Sequence, residues 1–497
     1  MTNPTQLTCL QSSQLIQPFV RRHSITLMAA VAIASAWMLI NDQPGWLALV
    51  LIATGTMAPI IAWAHQSSPG FPITAMMGAQ ALVIYATPIV TQNESIFVFP
   101  IDRINGAAFE IFVFGMSMWL GSAFMVGQVR PRIPTHYRAF KILKSGSSAK
   151  LANVGMLMMS IGIGFHVFNL LGGFRMLPSG VFPIARTLSD AVGLGGGLVS
   201  AYLIGWGATR GPRVVIFWIL YGLFTVFMIS NYTLFPATGM MMSVSLGLFL
   251  GRGKLPLMFL AIFISILAFL NLSKFEMREL YWLEGQAYAP QTIDQLPERY
   301  TEWVGRSLAQ LTGSTALVDD WDEDKSQQLS DRVNSLIILL NAQRYIVDDK
   351  IPTLGGATYT IIPPLFIPRI FWANKPRTHE GMVMLNIHFG QQTREESLVT
   401  YISWGFLPEA YANFGPFFGA MVLGLVLGAA LGWIEQKYRF HPLTSLESLI
   451  VLTFAVNCAS SFESVSSIWL TSVFQMIVAL GGGLWILTHS QRLIPTR

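Results

Sequence analysis

Hydrophobic residues in this chain are gathered into long runs that short polar stretches separate. A helix that crosses a bilayer core about 30 Å thick needs roughly 20 apolar residues. We predict twelve such helices, over residues 25–40, 46–64, 71–90, 107–127, 151–171, 187–206, 214–230, 232–250, 255–272, 414–434, 447–463 and 467–487. The pattern therefore predicts an all-α polytopic integral membrane protein.

Composition agrees with this class. The chain has 497 residues, of which 53% are hydrophobic and 11% are charged. In soluble globular proteins about a quarter of the residues are charged, so that class is excluded. The first run follows a polar stretch of 24 residues and further runs come soon after it. We expect this run to be an anchor that is retained rather than a cleaved signal peptide.

The basic residues predict the orientation of the chain. About half of the 31 lysines and arginines fall in short stretches that would share one face, if alternate runs cross in opposite directions. Short loops rich in Lys and Arg stay in the cytoplasm. This predicts that both termini are cytoplasmic. The short basic stretches are Arg21–Arg22, 130–150, Arg210 with Arg213, Arg252 with Lys254, Lys437 with Arg439, and Arg492 with Arg497.

The runs divide the chain into three parts. Residues 1–272 predict a membrane bundle of about nine helices, and residues 414–497 predict a second bundle of about three. Residues 273–413 predict a large, mostly helical insert on the outer, periplasmic face. Within it, residues 331–347 have the pattern of an amphipathic helix with Ser330 as its N-cap. Residues 357–372 are apolar but interrupted by proline, which predicts an interfacial or re-entrant element.

Small residues recur along several runs. Glycines stand at four-residue spacing from Gly424 to Gly432, and others cluster at 193–197 and 481–483. In lipid, small residues let helix backbones approach closely. We interpret these glycines as packing positions.

A few polar residues inside the runs need no functional role. Asp190 lies four residues after Arg186, which predicts an ion pair, and His166 is interpreted as a hydrogen-bonded packing residue. The only two cysteines are Cys9 and Cys458. One lies in the predicted tail and the other in a run, so we expect no disulfide between them.

Cations crowd one part of the insert. Arginine suits phosphate because its planar fork donates two parallel hydrogen bonds and its charge does not titrate. The cluster therefore predicts an anionic site. Contacts with lipid headgroups or with nearby acids are the alternative for any single member. The cluster consists of Arg332, Arg344, Arg369, Lys375 and Arg377.

A carboxylate follows the insert. Glu409 stands in the segment 405–415, in which Pro408 and the flanking glycines are expected to break a helix. This would present Glu409, Tyr411 and Asn413 at the mouth of the bundle. A carboxylate at an apolar boundary can serve as a general base toward a hydroxyl. The equal alternative is that Glu409 caps the helix that follows or pairs with an arginine of the insert.

The acidic stretch 319–324 is the third candidate. Its aspartates and Asp331 imitate the spacing of a calcium loop, but Lys325 stands where that loop needs glycine. A solvated acidic lead-in to the next helix is the simpler interpretation. His379 and His388 have no third ligand in pattern. We therefore predict neither a metal site nor a cofactor.

Three segments carry a family resemblance. They are Pro352-Thr-Leu-Gly-Gly-Ala-Thr, Ile367-Pro-Arg-Ile-Phe-Trp-Ala-Asn-Lys-Pro376 and Gly405-Phe-Leu-Pro-Glu-Ala-Tyr-Ala-Asn-Phe-Gly415. Together with Arg332 they resemble the outer loop and following helix of the O-antigen and exopolysaccharide polymerases, which join oligosaccharide repeat units. The resemblance covers about residues 331–416.

The resemblance implies a metal-independent glycosyltransferase of the GT-C-like, integral-membrane architecture in the bacterial inner membrane. Such enzymes take an undecaprenyl-diphosphate-linked oligosaccharide as donor and a second one as acceptor, on the periplasmic face. It implies catalytic roles for Glu409, Arg369 and Arg332, and substrate binding by Lys375, Arg377, Arg344, Tyr411 and Asn413. Membrane lipid is an expected partner, a chain-length regulator protein is a further candidate, and nucleic acid is not expected.

Other functions remain open. A ligase that moves a finished glycan to a lipid or protein acceptor would share the donor chemistry. A flippase or secondary transporter is the alternative of another class. It is disfavoured because the predicted spans carry little charge in their interiors, where transporters commonly place ionisable groups. A purely structural assembly protein would tolerate alanine at Arg332, Arg369 and Glu409.

Overall fold

The structure is a computed structural model of the full chain. It describes residues 8–130, 136–137, 148–173, 176–177, 181–282, 292–312, 334–367, 371–372, 374–399, 402–443, 445–460, 463–489 and 494–495. Most of this part of the chain is helical. The β structure described in it is a two-residue antiparallel pairing of β1 (His136–Tyr137) with β2 (Ile494–Pro495) and an isolated bridge between Thr8 and Pro442.

The helices follow one another with short connections. In the first half they are α1 (Cys9–Ile40), α2 (Trp46–Ala64), α3 (Ile73–Val90), α4 (Glu94–Phe97), α5 (Ile101–Gln128), α6 (Ser148–Leu170), α7 (Phe182–Gly205), α8 (Pro212–Ile229), α9 (Phe235–Arg252) and α10 (Leu257–Leu272). In the second half they are α11 (Lys274–Tyr281), a 3₁₀ turn (Ile293–Gln295), α12 (Leu296–Thr312), α13 (Leu336–Val347), α14 (Ala357–Thr360), α15 (Ile362–Leu365), α16 (Glu380–His388), α17 (Glu396–Val399), α18 (Phe406–Phe414), α19 (Phe418–Tyr438), α20 (Leu446–Ser460) and α21 (Ser466–His489).

Eight described helices are long and apolar enough to cross a bilayer, as expected of a polytopic membrane protein. These are α1, α2, α3, α5, α6, α7, α8 and α19. A ninth is reached if α10 and α11, which meet at a 51° bend, form one span. The remaining predicted runs, in α9, α20 and α21, are helical but do not reach the same combination of length and hydropathy in the residues searched. The count of twelve therefore stays a prediction.

The first helix begins earlier than the sequence pattern indicated. Residues 1–24 were expected to be a polar tail, but α1 starts at Cys9. A capping box between Thr8 and Gln11 satisfies the free N–H groups of its first turn. Cys9 and Ile16 are almost fully buried against the bundle. Arg21–Arg22 consequently lie within a helix and not in a loop.

The glycine stripe of α19 is a packing surface, as predicted. A Cβ atom added at Gly428 would collide with the backbone of Met118, and one at Gly424 would collide with the carbonyl of Phe114. Gly432 faces Ser122 in the same way. Residue numbers on the two helices rise together, so α5 and α19 run parallel in close backbone contact. Glycines of 193–197 likewise face α6, α8 and α9.

The helices form two groups by their contacts. One joins α1, α2, α3, α5 and α19, and the other joins α6, α7, α8 and α9. There are two apolar cores, and α6, α7 and α9 contribute residues to both. Near α11 and α12 the second core contains Phe224, Tyr232 and Trp303. Helices α20 and α21 contact both groups through α3, α9 and α7. Cys9 and Cys458 are buried free thiols, which confirms that no disulfide joins them.

The described residues between 334 and 417 pack over one end of the bundle, which we call the insert side. Asn334 Nδ2 donates to Ser95 Oγ at 3.1 Å, and Arg103 pairs with Asp348 at 2.6 Å. The N-terminus of α5 therefore lies on the insert side. The start of α1 lies on the opposite side, where the Cys9 N–H donates to the His441 carbonyl at 2.9 Å.

The amphipathic helix of the insert starts later than predicted. Residues 334 and 335 are not helical and α13 runs over Leu336–Val347. The Asn334 side-chain oxygen accepts the Ile337 N–H at 3.1 Å, so Asn334, and not Ser330, caps its first turn. Ser330 itself lies outside the described residues. In the described residues of the proline-interrupted stretch 357–372, which are 357–367 and 371–372, the helices are the one-turn α14 and α15.

Candidate functional site

Glu409 lies in a short helix whose residues are buried from Phe406 to Asn413. Gly405 and Gly415, with φ of 77° and 74°, bound α18 at its two ends, a conformation that glycine adopts freely. Pro408 does not break this helix, contrary to expectation. It falls in the first turn, where the backbone N–H has no helical partner and proline is tolerated. The Glu409 side chain is 0% exposed.

Both carboxylate oxygens of Glu409 accept hydrogen bonds. The Thr358 hydroxyl donates to Oε1 at 2.8 Å, and the backbone N–H of Ser466 donates to Oε2 at 2.6 Å. Ser466 is the first residue of α21, whose N-terminal N–H groups lack helical partners. Glu409 thus caps α21. The capping alternative is observed, although at this helix rather than at α19.

Asn413 completes the network from the same face of α18. Its Nδ2 donates to the Thr358 hydroxyl at 2.9 Å and to the Glu409 carbonyl at 2.8 Å. The loop before α14 is bound to this end of α18 as well, because the Gly355 N–H donates to the Asn413 carbonyl at 2.9 Å. The structure therefore brings Glu409 and Asn413 together. It directs Tyr411, two residues away from each, to the other face of the helix.

Burial controls the protonation of this carboxyl. Removal from water raises the pKa of Glu409, and the hydrogen bonds from Ser466 and Thr358 oppose that rise only in part. A raised pKa is the property expected of a general base that works near neutral pH. To accept a proton from a substrate, Glu409 would have to exchange one of its two present donors. Its role as a base remains a prediction.

An apolar cavity of about 560 Å³ begins beside this network. Tyr359, Phe406 and Ser466 line it where it meets the network, and the remainder is almost entirely aliphatic and aromatic. It runs along α19 from Leu423 to Tyr438, a distance of about 22 Å at 1.5 Å per residue. Its walls come from α19, α20 and α21.

The cavity is open on one flank. Val426 and Ile477 line it and are 65% and 45% exposed, on helices that face outward from the bundle. Trp469 lines it from within, one turn after Ser466, and its indole N–H has no acceptor within the described chain. The cavity has the shape of a groove that an apolar chain could enter from the side.

The predicted cationic cluster is only partly described. Arg332 and Arg369 lie outside the residues that the structure describes. Lys375 closes its own loop, since its Nζ donates to the carbonyls of Leu365 at 2.7 Å and of Ile367 at 2.6 Å. Arg344 is exposed on α13, with its guanidinium 5.0 Å from the Tyr345 ring. Arg377 is also exposed.

The segment that carries Arg369, Lys375 and Arg377 is fixed to α21 on both sides. Before it, the Phe366 ring contacts the Phe474 ring at 4.9 Å. After it, the Ser467 hydroxyl donates to the Thr378 carbonyl at 3.1 Å. Because α21 also lines the groove, this segment is anchored to a wall of the groove.

A second cavity, of about 400 Å³, was not foreseen from the sequence. It lies on the Tyr411 side of α18 and is also lined by Arg103, Glu110, Gln343 and Phe417. The sequence pattern predicts no role for Arg103 or for Glu110, which falls in the predicted run 107–127. The available signal was Glu110 itself, because an ionisable residue in a predicted span is a functional candidate by default.

Glu435 is another buried acid that sequence reasoning passed over. It is 1% exposed near the C-terminus of α19, and its Oε1 accepts the Thr74 N–H at 2.6 Å in the first turn of α3. Glu110 and Glu435 both lie within three turns of a helix end. Glu110 falls near the start of the predicted run 107–127 and Glu435 just after the run 414–434, so neither acid is at mid-helix.

The predicted ion pair of Arg186 with Asp190 is confirmed, and His166 is hydrogen-bonded as expected, with Asp190 as its partner. His166 Nε2 lies 2.9 Å from Asp190 Oδ1, and Arg186 Nε lies 3.9 Å from the second oxygen of the same carboxylate. These residues form a local polar contact between α6 and α7.

Acidic and histidine residues give no metal centre in the described ranges. No group of three or more His, Cys, Asp or Glu side chains is placed to share an ion there. The aspartates of 319–324 and Asp331 lie outside those ranges. The side-chain oxygens of the Glu409 network, which could otherwise bind a metal ion, already form hydrogen bonds within the network or with backbone N–H groups. Comparison of the chain with protein-family models, with curated proteins and with solved structures found no match.

Proposed function

We propose that this protein is a glycosyltransferase of the bacterial inner membrane that polymerises undecaprenyl-diphosphate-linked oligosaccharide repeat units. One observation carries the proposal. The apolar, side-open groove along α19 ends at the buried Glu409–Ser466 contact, and α21, which lines the groove, also holds the chain that follows Lys375 and Arg377. An apolar chain with an anionic head, next to a carboxyl of raised pKa, is the ligand that such a site suits best.

The groove supports the lipid part of this substrate. Its volume of about 560 Å³ lies within the range of about 300–1,000 Å³ that is usual for ligand sites. Its length of about 22 Å spans most of a bilayer core about 30 Å thick. A polyprenyl chain would enter between Val426 and Ile477 and leave its diphosphate near Ser466. The free indole N–H of Trp469 offers a donor close to that end.

The chemistry is a displacement at the anomeric carbon of the donor. A hydroxyl oxygen of the acceptor glycan bonds to that carbon while the bond from carbon to the diphosphate oxygen breaks. The leaving undecaprenyl diphosphate keeps the electron pair, and the hydroxyl proton passes to a base. In our assignment Glu409 is that base. Arg332 and Arg369 stabilise the leaving diphosphate, because fixed positive charge does so without a metal ion.

The other predicted site residues have different roles in this proposal. Arg344 and Arg377 are exposed cations that can meet a diphosphate or lipid headgroups. Lys375 orders the loop beside Arg369 through its two carbonyl contacts, and Asn413 holds Thr358 and Glu409 in position. Glu409 would exchange its bond to Thr358 for one to the acceptor hydroxyl when substrate binds.

The topology that this function needs is the one that the basic residues predict. Twelve spans would leave both termini in the cytoplasm and the insert side in the periplasm, with a GT-C-like arrangement around the groove. The start of α1 and the insert lie on opposite sides of the bundle, which supports that arrangement.

The test is an assay with the purified full-length protein in detergent or nanodiscs. The substrate is the lipid-diphosphate repeat unit extracted from the producing cell, with and without a chelator. We expect a ladder of chain lengths that the chelator does not suppress and that Arg369→Ala abolishes at normal protein level. Absence of glycan transfer from the lipid carrier, or full-length polymer from Arg369→Ala, would overturn the assignment.

Two related functions give different results. Loss of a polymerase leaves single repeat units on the final acceptor in cells, whereas loss of a ligase leaves none. A flippase is favoured by one observation, since the groove reaches Tyr438 and Glu447 at the opposite side. A flippase would move the labelled lipid across reconstituted vesicles without forming any glycosidic bond.

A further inference from the structure

The second cavity has its own character, distinct from the apolar groove. Helix α18 separates the two, with Glu409 on the groove side and Tyr411 on the other. Its lining is mixed. Apolar surface from Pro100, Gly106, Val347, Pro416 and Phe417 surrounds the polar groups of Asp102, Arg103, Glu110, Gln343 and Tyr411. At about 400 Å³ it can hold a ligand the size of one or two sugar rings.

Its charge argues against a diphosphate. Arg103 is already paired with Asp348 at 2.6 Å, and Asp102 and Glu110 also line the space. Three carboxylates therefore stand against one guanidinium. Like charges in such a site disfavour an anionic ligand. A neutral ligand that donates hydrogen bonds to carboxylates fits better.

Glu110 has unused accepting capacity. It is 2% exposed, and its two oxygens share one donor, the Phe417 N–H, at 2.9 and 3.1 Å. A carboxylate has about four lone-pair sites. The remaining sites can accept from hydroxyl groups in the cavity.

Tyr411 provides a second unused group. Its side chain is 3% exposed, and its hydroxyl forms no hydrogen bond with any residue that the structure describes. The Phe417 ring also lines the space and packs edge-on against Phe109 at 5.4 Å. Aromatic faces beside a few fixed polar groups are typical of sites that orient a small ligand.

Gln343 helps to fix the wall of the cavity by connecting α13 to α5. Its side-chain amide lies against the backbone of α5, within 3.3 Å of the Arg103 carbonyl and 3.2 Å of the Ala107 nitrogen, and it can donate to the first and accept from the second when its nitrogen faces the carbonyl. Together with the pair between Arg103 and Asp348, this ties α13 to the start of α5. The wall of the cavity is therefore held independently of any ligand.

We propose that this cavity binds a sugar residue of the acceptor glycan, with its hydroxyls on Glu110 and Tyr411 and a ring face on Phe417. This assignment rests on the proposed function and gives each substrate its own site. The lipid of the donor binds in the apolar groove, and the glycan of the acceptor binds in the second cavity. Tyr411 then serves the acceptor and not the donor diphosphate.

The experiment measures binding of lipid-free glycan to the full-length protein in detergent. The probe is the repeat-unit oligosaccharide released from its carrier by mild acid, with saturation-transfer NMR and calorimetry as readouts. We expect Tyr411→Phe and Glu110→Gln each to weaken binding about ten-fold, the loss of one hydrogen bond. The affinity for undecaprenyl diphosphate should not change. Tyr345→Phe, a tyrosine of α13 that does not line the cavity, should bind the glycan like the parent protein.

Glu110→Gln retains an acceptor for the Phe417 N–H, and its melting temperature verifies that it folds. Equal glycan affinity in the parent, Tyr411→Phe and Glu110→Gln overturns the site. The site is also overturned if inorganic diphosphate or monovalent cations compete with the glycan for binding. If the cavity binds glycan but the protein forms no polymer, the proposed function fails and the site stands. If polymer forms but the variants bind normally, the site fails and the function stands.

Discussion

The backbone N–H of Ser466 donates to the Glu409 carboxylate at 2.6 Å, which joins the first residue of α21 to the middle of α18. The Thr358 hydroxyl holds the second oxygen at 2.8 Å. Three segments that are far apart in the chain thus meet at one buried carboxyl. Because Ser466 lines one end of the apolar groove, a change at Glu409 acts on that end of the groove.

Replacing Glu409 by alanine should destabilise the protein. The Ser466 N–H and the Thr358 hydroxyl would lose their buried acceptor, at about 1–3 kcal/mol for each unsatisfied group. Glu409→Gln retains an acceptor oxygen and should lose less. Thermal unfolding in detergent measures the difference. The exposed Glu395, replaced by alanine, is the matched control and should leave the melting temperature unchanged. Equal stability of Glu409→Ala and the parent would contradict the capping role.

Stability should depend on pH through the same carboxyl. Burial raises the pKa of Glu409 above its ordinary value of 4.5, so the folded state retains a proton that the unfolded state releases. The stability that protonated Glu409 contributes to the folded state is fully present below pH 4.5, and it is lost as the pH rises through the folded-state pKa. The melting temperature of the parent should therefore fall relative to Glu409→Gln over that range. A constant difference from pH 4 to pH 8 would show that the pKa is not raised.

Activity should move in the opposite direction over the same range. A general base must be deprotonated, so turnover should increase as the pH rises through the raised pKa. Glu409→Gln should lack both the activity and the profile. A pH-independent rate in the parent protein would assign Glu409 to capping alone. The measurement is the initial rate of polymer formation at each pH, with the protein verified as folded.

Filling the groove should block the lipid without unfolding the protein. Ala430 lines the groove on the open side of α19, so Ala430→Trp would occupy part of it. We expect at least a ten-fold weaker affinity for undecaprenyl diphosphate, with little change in melting temperature. Met421→Trp places the same bulk on an exposed position of α19 that does not line the groove. Equal affinities in the two variants would remove the groove from the substrate path.

Lys375 should matter for loop structure more than for diphosphate affinity. Its ammonium donates to two carbonyls, and hydrogen bonds of a charged donor contribute about 1.5–3 kcal/mol each. Lys375→Met should lower the melting temperature and increase proteolysis near residue 367. Lys254→Met, at an exposed lysine on another loop, should do neither. A loss of diphosphate affinity at unchanged stability would instead make Lys375 a direct ligand.

Two glycines should respond to alanine with opposite signs. Gly428→Ala places a methyl group against the Met118 backbone, and overpacking of this kind costs about 1–3 kcal/mol. Gly222 is exposed on α8 with open space around its Cβ position. Gly222→Ala should stabilise α8 by up to about 1 kcal/mol, since alanine is the better helix former. Melting temperatures of both variants provide the measurement.

The sequence alone determined the class of protein and most helix positions. Apolar runs of bilayer length need only local composition to be recognised, which is why eight predicted runs recur as helices long enough to cross a membrane. The glycine stripe of α19 was equally readable, because four-residue spacing places all its members on one helix face. The ion pair of Arg186 with Asp190 followed from the same periodicity.

Tertiary structure decided which polar groups meet. Glu409, Thr358 and Ser466 are neighbours only because α18, α14 and α21 converge, and no periodicity within one segment encodes that contact. The same holds for Glu110, whose partner Phe417 follows it by 307 positions. Local patterns report which face of a helix is apolar. The partner of a buried polar group is chosen by packing between distant segments, because burial makes an unpaired group too costly to retain.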